Sequence, residues 1–538
     1  MRCCAVARNV RVRALVAVVV TATSVYAVVS APASAVGIAT QFSRVQVTPG
    51  PRPGTYTLRW AAAAPPTGDV FDVEMRDSGT TTWTNFVAGT TALGQTFAPA
   101  VPGPYSLRAR LRDATNDRSS SWSPTLTLTG NWSMFEADQQ HTGVTQDPTI
   151  GASTAPALTV KWKTLVAAGT GLLASPAVAF NAQLHKPLVY TATSTGTITA
   201  RDLATGAVVW TTAGNGPIVA SPAVNGNTVY VGTESHFLLA LDAATGAVQC
   251  SFSLGGAVIS SPVVGNVDGT GPVVFFGDVG ADVANSGGHE WAVNGVGNSA
   301  GACTRKWDFD GWTNLGSTAK RTGSWSPPAL TTDSTGRPLL VFGSSDPDDS
   351  VYALDARTGT PVWHFRTSTA PEQDVGAAPA ISRPGLNGFA HGVVYVAGKD
   401  NIEYALDLLT GHEIWKFDLQ THAGGTNATT QSAAALVDDQ VVVPYAQYVF
   451  SLNATTGAQT WRSAPTSGEY FASPSISGSP GDQVVLIGDD VGVEHAYRVR
   501  DGSQVLKLNS AGAIYCSDAV AFGSVVFGTT SGNLYALG

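Results

Sequence analysis

Val219-Ala220-Ser221-Pro222-Ala223-Val224 is followed by Val229-Tyr230-Val231-Gly232-Thr233, then Leu239-Ala240-Leu241-Asp242, then Thr245-Gly246-Ala247-Val248. Each piece is a short apolar run bounded by turn residues, so this stretch of thirty residues (219–248) reads as four strands joined by tight hairpins. The closing Thr-Gly turn recurs at Thr205-Gly206, Thr358-Gly359, Thr410-Gly411 and Thr456-Gly457. Each of these is followed, four residues after its glycine, by Trp210, Trp363, Trp415 and Trp461. Glycine suits a hairpin that forces positive φ. The Trp falls on the outermost strand, where it can wedge against the next unit and bury a large apolar area.

Outward from this unit the repeat covers most of the chain. Outermost strands are expected at positions 162, 210, 250, 307, 363, 415, 461 and 506, six of them Trp, with Cys250 and Leu506 as departures. The first and last lie 344 residues apart, about 49 residues per unit, in the range of β-propeller blades. Ala513 to Leu537 supplies three strands without a fourth, and Leu158 to Thr164 is a lone outer strand without a preceding three. The two halves complete each other, so the prediction is an all-β chain: an eight-bladed β-propeller closed by an N-terminal strand. Closure leaves no open end.

Blades with Asp-x-x-Thr-Gly-x-x-x-Trp turns resemble the quinoprotein alcohol-dehydrogenase-like propellers, built of PQQ-binding-like repeats. Asn131-Trp132-Ser133-Met134-Phe135 through His141-Thr142-Gly143 resembles the entry segment of that group, so the resemblance covers 131–538. The group includes pyrroloquinoline-quinone dehydrogenases, the propeller lipoprotein of outer-membrane assembly and exported proteins of other roles. It implies fold, not activity.

Residues 37–129 carry alternating strands without repeats: Tyr56-Thr57-Leu58-Arg59-Trp60, Phe71-Asp72-Val73-Glu74-Met75 and Tyr105-Ser106-Leu107-Arg108-Ala109-Arg110, then Trp122-Ser123-Pro124. This resembles a fibronectin type III domain, a small N-terminal β-sandwich with Trp60 in its core. Ahead of it, Arg2, Arg8, Arg11 and Arg13 precede an apolar stretch from Ala14 to Ser30, and Ala33-Ser34-Ala35 fits a cleavage site. Residues 1–35 thus read as a secretory signal peptide. The competing reading is a retained anchor, because the apolar stretch is long. With the signal cleaved, no membrane span is expected.

A formal charge of −9 and the lack of a basic run beyond the first fifteen residues exclude an electrostatic footprint for nucleic acid. Of the cysteines outside the signal, Cys250 replaces the docking Trp of its blade and Cys303 lies four residues before Trp307. Adjacent outer strands could bring the two into a disulfide; two buried thiols are the alternative. Cys516, on an inner strand, reads as a buried thiol.

A quinone dehydrogenase of the resembled group would need a calcium site of Glu, Asn and Asp, an aromatic floor, a cation on the quinone oxygens and an Asp base. The residues just before the inner-strand serines are Ala174, Ala220, Ser260, Trp325, Ala377, Gln431, Ala472 and Cys516. One position earlier stand Leu173, Val219, Ile259, Ser324, Gly376, Thr430, Phe471 and Tyr515. These positions offer neither a carboxylate cluster nor a cation, and only Trp325 could stack. Asn266-Val267-Asp268-Gly269 reads as a plain turn, and Asp346, Asp348 and Asp349 as a solvated loop. The longest connection, Asp308 to Gly323, carries Trp312, Lys320 and Arg321, and the next carries Glu372 and Asp374. With Trp325 they form the expected ligand or partner patch on the fourth and fifth blades.

The sequence therefore predicts a secreted, extracellular or cell-surface protein. It would be non-enzymatic, presenting a propeller face to a protein or glycan partner, with no catalytic, cofactor-binding or metal residues assigned. One alternative is a dehydrogenase of alcohols or sugars using pyrroloquinoline quinone with calcium. Another is a carbohydrate-active enzyme with an accessory sandwich, for which Glu372 and Asp374 are the near-axis pair.

Overall fold

The Asp-x-x-Thr-Gly turn shows how local chemistry sets the repeat. In the computed structural model, Asp242 Oδ1 accepts hydrogen bonds from the N–H groups of Ala244 and Thr245 and from the Thr245 hydroxyl at 2.9–3.0 Å. Gly246 then turns the chain at φ 73°, a left-handed conformation that costs other residues about 1–2 kcal/mol. Asp202, Asp407 and Asn453 build the same cradle. The structure describes residues 45–538 apart from 53, 78–79, 100–102, 129, 146, 168–170, 281–287, 311–322, 346–347, 369, 371–372, 427 and 429–431. The signal sequence expected over 1–35 lies outside the described residues.

Among the described residues, eight four-stranded antiparallel sheets follow one another beyond residue 160. Numbered as blades 1 to 7, they span 177–213, 223–253, 263–309, 329–366, 380–418, 435–462 and 475–509. The eighth joins Ala519–Ala521, Ser524–Gly528 and Asn533–Leu537 to Val160–Leu165, with Ala536 opposite Trp162. Each innermost strand touches the next, and Ala519–Ala521 touches Ala177–Asn181 of blade 1, so the ring closes. Serines tie it around the axis: the Ser175, Ser221, Ser473 and Ser517 N–H groups donate to the hydroxyls of Ser221, Ser261, Ser517 and Ser175 at 2.9–3.1 Å.

Blades dock through the predicted Trp residues. The indole Nε1 of Trp162, Trp210, Trp307, Trp363, Trp415 and Trp461 each donates to a carbonyl in the next blade at 2.6–3.0 Å. Cys250 is disulfide-bonded to Cys303, with Cα atoms 5.3 Å apart, and the Cys303 N–H donates to Ser251 O. A covalent tie therefore stands where the Trp is missing. Leu506 has no Thr-Gly turn to cover, because the third and outermost strands of the eighth blade, Asn533–Leu537 and Val160–Leu165, are not consecutive in sequence: Thr159 and Gly538 exchange backbone hydrogen bonds there. Val505 and Leu506 instead pack on the cluster holding Ala155 and Leu158. Cys516 is a free buried thiol.

Residues 46–128 form two sheets around their own core. One holds Gln46–Pro49, Tyr56–Arg59 and Gly94–Phe97; the other holds Asp69–Asp77, Thr84–Thr90, Tyr105–Asp113 and Leu126–Leu128. Leu58, Trp60, Phe71, Val73, Leu107 and Leu111 fill the space between, and Trp60 Nε1 donates to Ala92 O at 2.7 Å. On the other side of the larger sheet, Arg108 lies between the rings of Trp83 and Trp122.

Between sandwich and blades runs a strap, Asn131 to Asp147, that visits every blade in order. Trp132 exchanges two backbone bonds with Val178 of blade 1, and Ser133 O accepts from Val224 of blade 2. Gln139 Nε2 donates to Val264 O of blade 3, and Gln139 O accepts from Leu330 of blade 4. The carbonyls of Gln140, Thr142 and Gly143 then accept from Ile381, Leu436 and Ile476 of blades 5, 6 and 7. Asp147 Oδ2 finally accepts from Gly523 of blade 8. An innermost strand is an edge, and the strap satisfies backbone groups that would otherwise face the axis.

Candidate functional site

At the opposite end of the axis, where the chain enters each innermost strand, Leu173, Phe471 and Tyr515 are 41%, 37% and 37% exposed. Val219 and Ile259 are half-buried. The rings of Phe471 and Tyr515 meet edge-to-face at 5.2 Å. Blade 4 contributes Trp325, whose ring lies on the backbone of Gly376, where a Cβ would fall 2.1 Å from Cη2. Lys399 Nζ stands 5.3 Å from the Trp325 ring centroid. It is ion-paired with Asp374, and the Lys399 N–H donates to Asp374 O at 3.0 Å.

Of the expected patch, the structure thus brings Trp325 and Asp374 together through Lys399. Trp312, Lys320, Arg321 and Glu372 lie outside the described residues. The inner-strand positions carry no cation of their own, and Lys399 brings one to Trp325 from outside that set. It comes from the turn between the second and third strands of blade 5, which a reading of inner-strand entries does not reach. The loop expected to be solvated is corrected. Asp349 is buried at 1% exposure, and Asp348 Oδ2 accepts from Tyr352 OH at 2.6 Å and from Ser344 Oγ at 2.8 Å.

Sequence reasoning also missed a set of buried carboxyls. The third strands align as Glu290-Trp291-Ala292 in blade 3, Glu403-Tyr404-Ala405 in blade 5 and Glu494-His495-Ala496 in blade 7; the other five blades carry Ile198, Leu238, Val351, Val449 and Leu534 at the glutamate's position. All three glutamates are fully buried, and none of their oxygens has a well-aligned hydrogen bond. Burial pushes Glu403 up to about 8 and Glu290 well above the carboxylate range, with Asp278 adding repulsion. Burial and the adjacent Asp518 do the same to Glu494. Asp518 is itself raised by burial to about 7. Glu136 of the strap is raised by burial to about 8, although the Ser517 and Ser473 hydroxyls beside it pull it down. The signal was available as a polar residue at an apolar register, on strands not compared in that way.

A calcium-bound quinone would need more than these residues supply. Trp325 offers an aromatic face and Lys399 a cation, but Lys399 is tied to Asp374. Glu290, Asp348, Ser324 and Ser345 line a hole of about 20 Å³, room for one water. Among the described residues no three His, Cys, Asp or Glu side chains converge as metal ligands. The donor set does not fit a calcium ion, which takes six to eight oxygens.

The profile of a protein family described as outer membrane protein assembly factor BamB matches residues 146–294 and 347–534. The chain belongs to that family. BamB of Yersinia pestis is 28% identical over 191 residues, 33% of this chain and 45% of that protein. The match therefore spans less than half of its curated relative. Among solved structures, BamB from Moraxella catarrhalis superposes with a TM-score of 0.52 at 17% identity, covering 71% of this chain and 99% of that one. A europium-containing methanol dehydrogenase gives 0.62 at 13% identity, covering 76% and 98%. The quinohemoprotein alcohol dehydrogenase of Comamonas testosteroni gives 0.60 at 16% identity, covering 76% and 80%. The BamB family and the quinone dehydrogenases thus share the propeller fold seen here, and at these identities the structural likeness speaks for fold alone. Among the described residues no helix is long and apolar enough to cross a membrane.

Proposed function

We propose that this chain is an exported, non-enzymatic scaffold that docks a protein partner on the face carrying Trp325. The observation that carries this reading is the mouth of the axis, where Leu173, Phe471 and Tyr515 of blades 1, 7 and 8 are exposed and, on blades 4 and 5, Trp325 meets a lysine already neutralised by Asp374. Aromatic and aliphatic groups with a compensated charge suit a protein interface core. The name of the family, an assembly factor, supports a protein rather than a small-molecule partner.

A second reading, a quinone-dependent dehydrogenase of alcohols or sugars, draws on the contact of Trp325, Lys399 and Asp374, an aromatic face, a cation and an acid within one spot. Titration with pyrroloquinoline quinone and calcium, followed by Trp fluorescence and then dye reduction over alcohols and sugars, separates the two. The scaffold reading expects neither saturable quenching nor turnover, and turnover overturns it. A photo-cross-linker at Phe471 should capture a discrete protein adduct that the same group at Val208, on an outer strand, does not.

A further inference from the structure

The strap face carries an opening of its own. Where the strap passes the hairpin turns of blades 3, 4 and 5, a cavity of about 420 Å³ is lined by Gln140, Asn266, Leu330, Thr331, Thr332 and Arg383 among others. Its size is that of small-molecule sites, and it lies at the other end of the axis from Trp325.

Gln140 builds the back wall. Its Nε2 donates to Leu330 O at 2.7 Å, and its Oε1 accepts from Arg383 Nη2 at 3.3 Å. Nearly buried itself, at 9% exposure, it holds one N–H of an exposed guanidinium that has five such donors in a fixed fork. Asp138 feels the Arg383 charge, but its oxygens accept from the Gln140 N–H and from the Thr142 N–H and hydroxyl. Asn266 Oδ1 accepts from Gly269 N at 2.7 Å, so this side chain offers the cavity its amide donors. Exposed Thr332 adds a hydroxyl that can donate or accept, while Thr331 beside it in the strand is buried on the other face.

One fixed positive charge, flanked by hydroxyl and amide groups over a small apolar wall, selects a ligand with one carboxylate and several hydroxyls. A guanidinium takes a carboxylate through two parallel charge-assisted bonds. We infer that this cavity binds a small polyhydroxylated carboxylate, with the carboxylate on Arg383 and the hydroxyls on Thr332 and Asn266. The site is independent of the docking face proposed above.

Calorimetric titration of the full chain with gluconate, glucose and succinate tests it. Gluconate should bind saturably, with glucose (no carboxylate) and succinate (no hydroxyls) each at least about tenfold weaker. Arg383→Ala should weaken gluconate by about tenfold or more, and Thr332→Val severalfold. Both side chains are exposed, so an unchanged near-ultraviolet circular dichroism spectrum is expected to accompany the loss. No saturable heat with gluconate, equal affinity for succinate or glucose, or gluconate binding undiminished in folded Arg383→Ala would each overturn the inference.

Discussion

Trp210 of blade 1 covers Gly246 of blade 2: a Cβ on that glycine would fall 2.5 Å from Trp210 Cε3, while the indole Nε1 donates to Ala243 O at 3.0 Å. The turn glycine therefore answers two demands, its own positive φ and the neighbour's ring. Gly246→Ala should cost about 2–4 kcal/mol, more than the φ term alone. Trp210→Phe, which keeps the bulk and loses the hydrogen bond, should cost about 1 kcal/mol, and Trp210→Ala about 3–5 kcal/mol. Urea midpoints rank the three.

Reduction of the Cys250–Cys303 bond removes a tie across 53 residues. The Cys250→Ser, Cys303→Ser double variant should lose about 2–4 kcal/mol. Cys516, whose thiol burial pushes up to about 12, should not react with a thiol reagent at neutral pH until urea unfolds the chain. Thiol counting before and after urea checks this.

Asp518 of blade 8 lies within electrostatic reach of both Glu136 of the strap and Glu494 of blade 7, and burial raises all three. A carboxyl raised in the folded state binds its proton more tightly there than in the unfolded chain. Its stabilisation is complete below the unfolded value near pH 4 and is lost as pH rises through the folded values near 7 and 8. Unfolding free energy should therefore fall between pH 5 and pH 8, by about 1.4 kcal/mol per pH unit for each carboxyl that stays protonated only in the folded chain. Glu494→Gln, neutral throughout, should flatten that fall; a stability curve equally steep in the variant would contradict the assignment.

The strap makes a prediction for hydrogen exchange. The amides of Val178, Ile381, Leu436 and Ile476 face the axis yet donate to or pair with the strap, so they should exchange as slowly as strand interiors. Trp132 is fully buried, and Trp132→Ala should cost about 3–5 kcal/mol and speed exchange at Val178 first.

The blade pattern was legible because it rests on covalently local signals, a turn chemistry and a Trp at fixed spacing. Even its departures carried meaning: Cys250 marks the disulfide and Leu506 the seam. The site was legible in part. Trp325 stood out as an aromatic among small inner-strand residues, but Lys399 reaches it from a different hairpin, and only the fold brings the two together. The strap was legible as an entry segment by resemblance, but its bonds to every blade were not, for a related reason. Its bonds run through backbone carbonyls, which every residue possesses, so no side-chain pattern announces them. The buried glutamates could have been found by aligning third strands, where a charge at an apolar register contradicts its surroundings.

Thr159 and Gly538 exchange hydrogen bonds, and this sets an order in time. The eighth blade cannot be assembled until Asn533–Leu537 leaves the ribosome to find Val160–Leu165, a partner made about 370 residues earlier. Blades 1 to 7 can form as they are synthesised, each on short-range contacts, while Val160–Leu165 waits as an unpaired edge. Joining such distant segments is the slow, entropically costly event. Until Asn533–Leu537 is in place, Val160–Leu165 stays an unpaired edge and the ring stays open, the kind of exposed edge that invites aggregation.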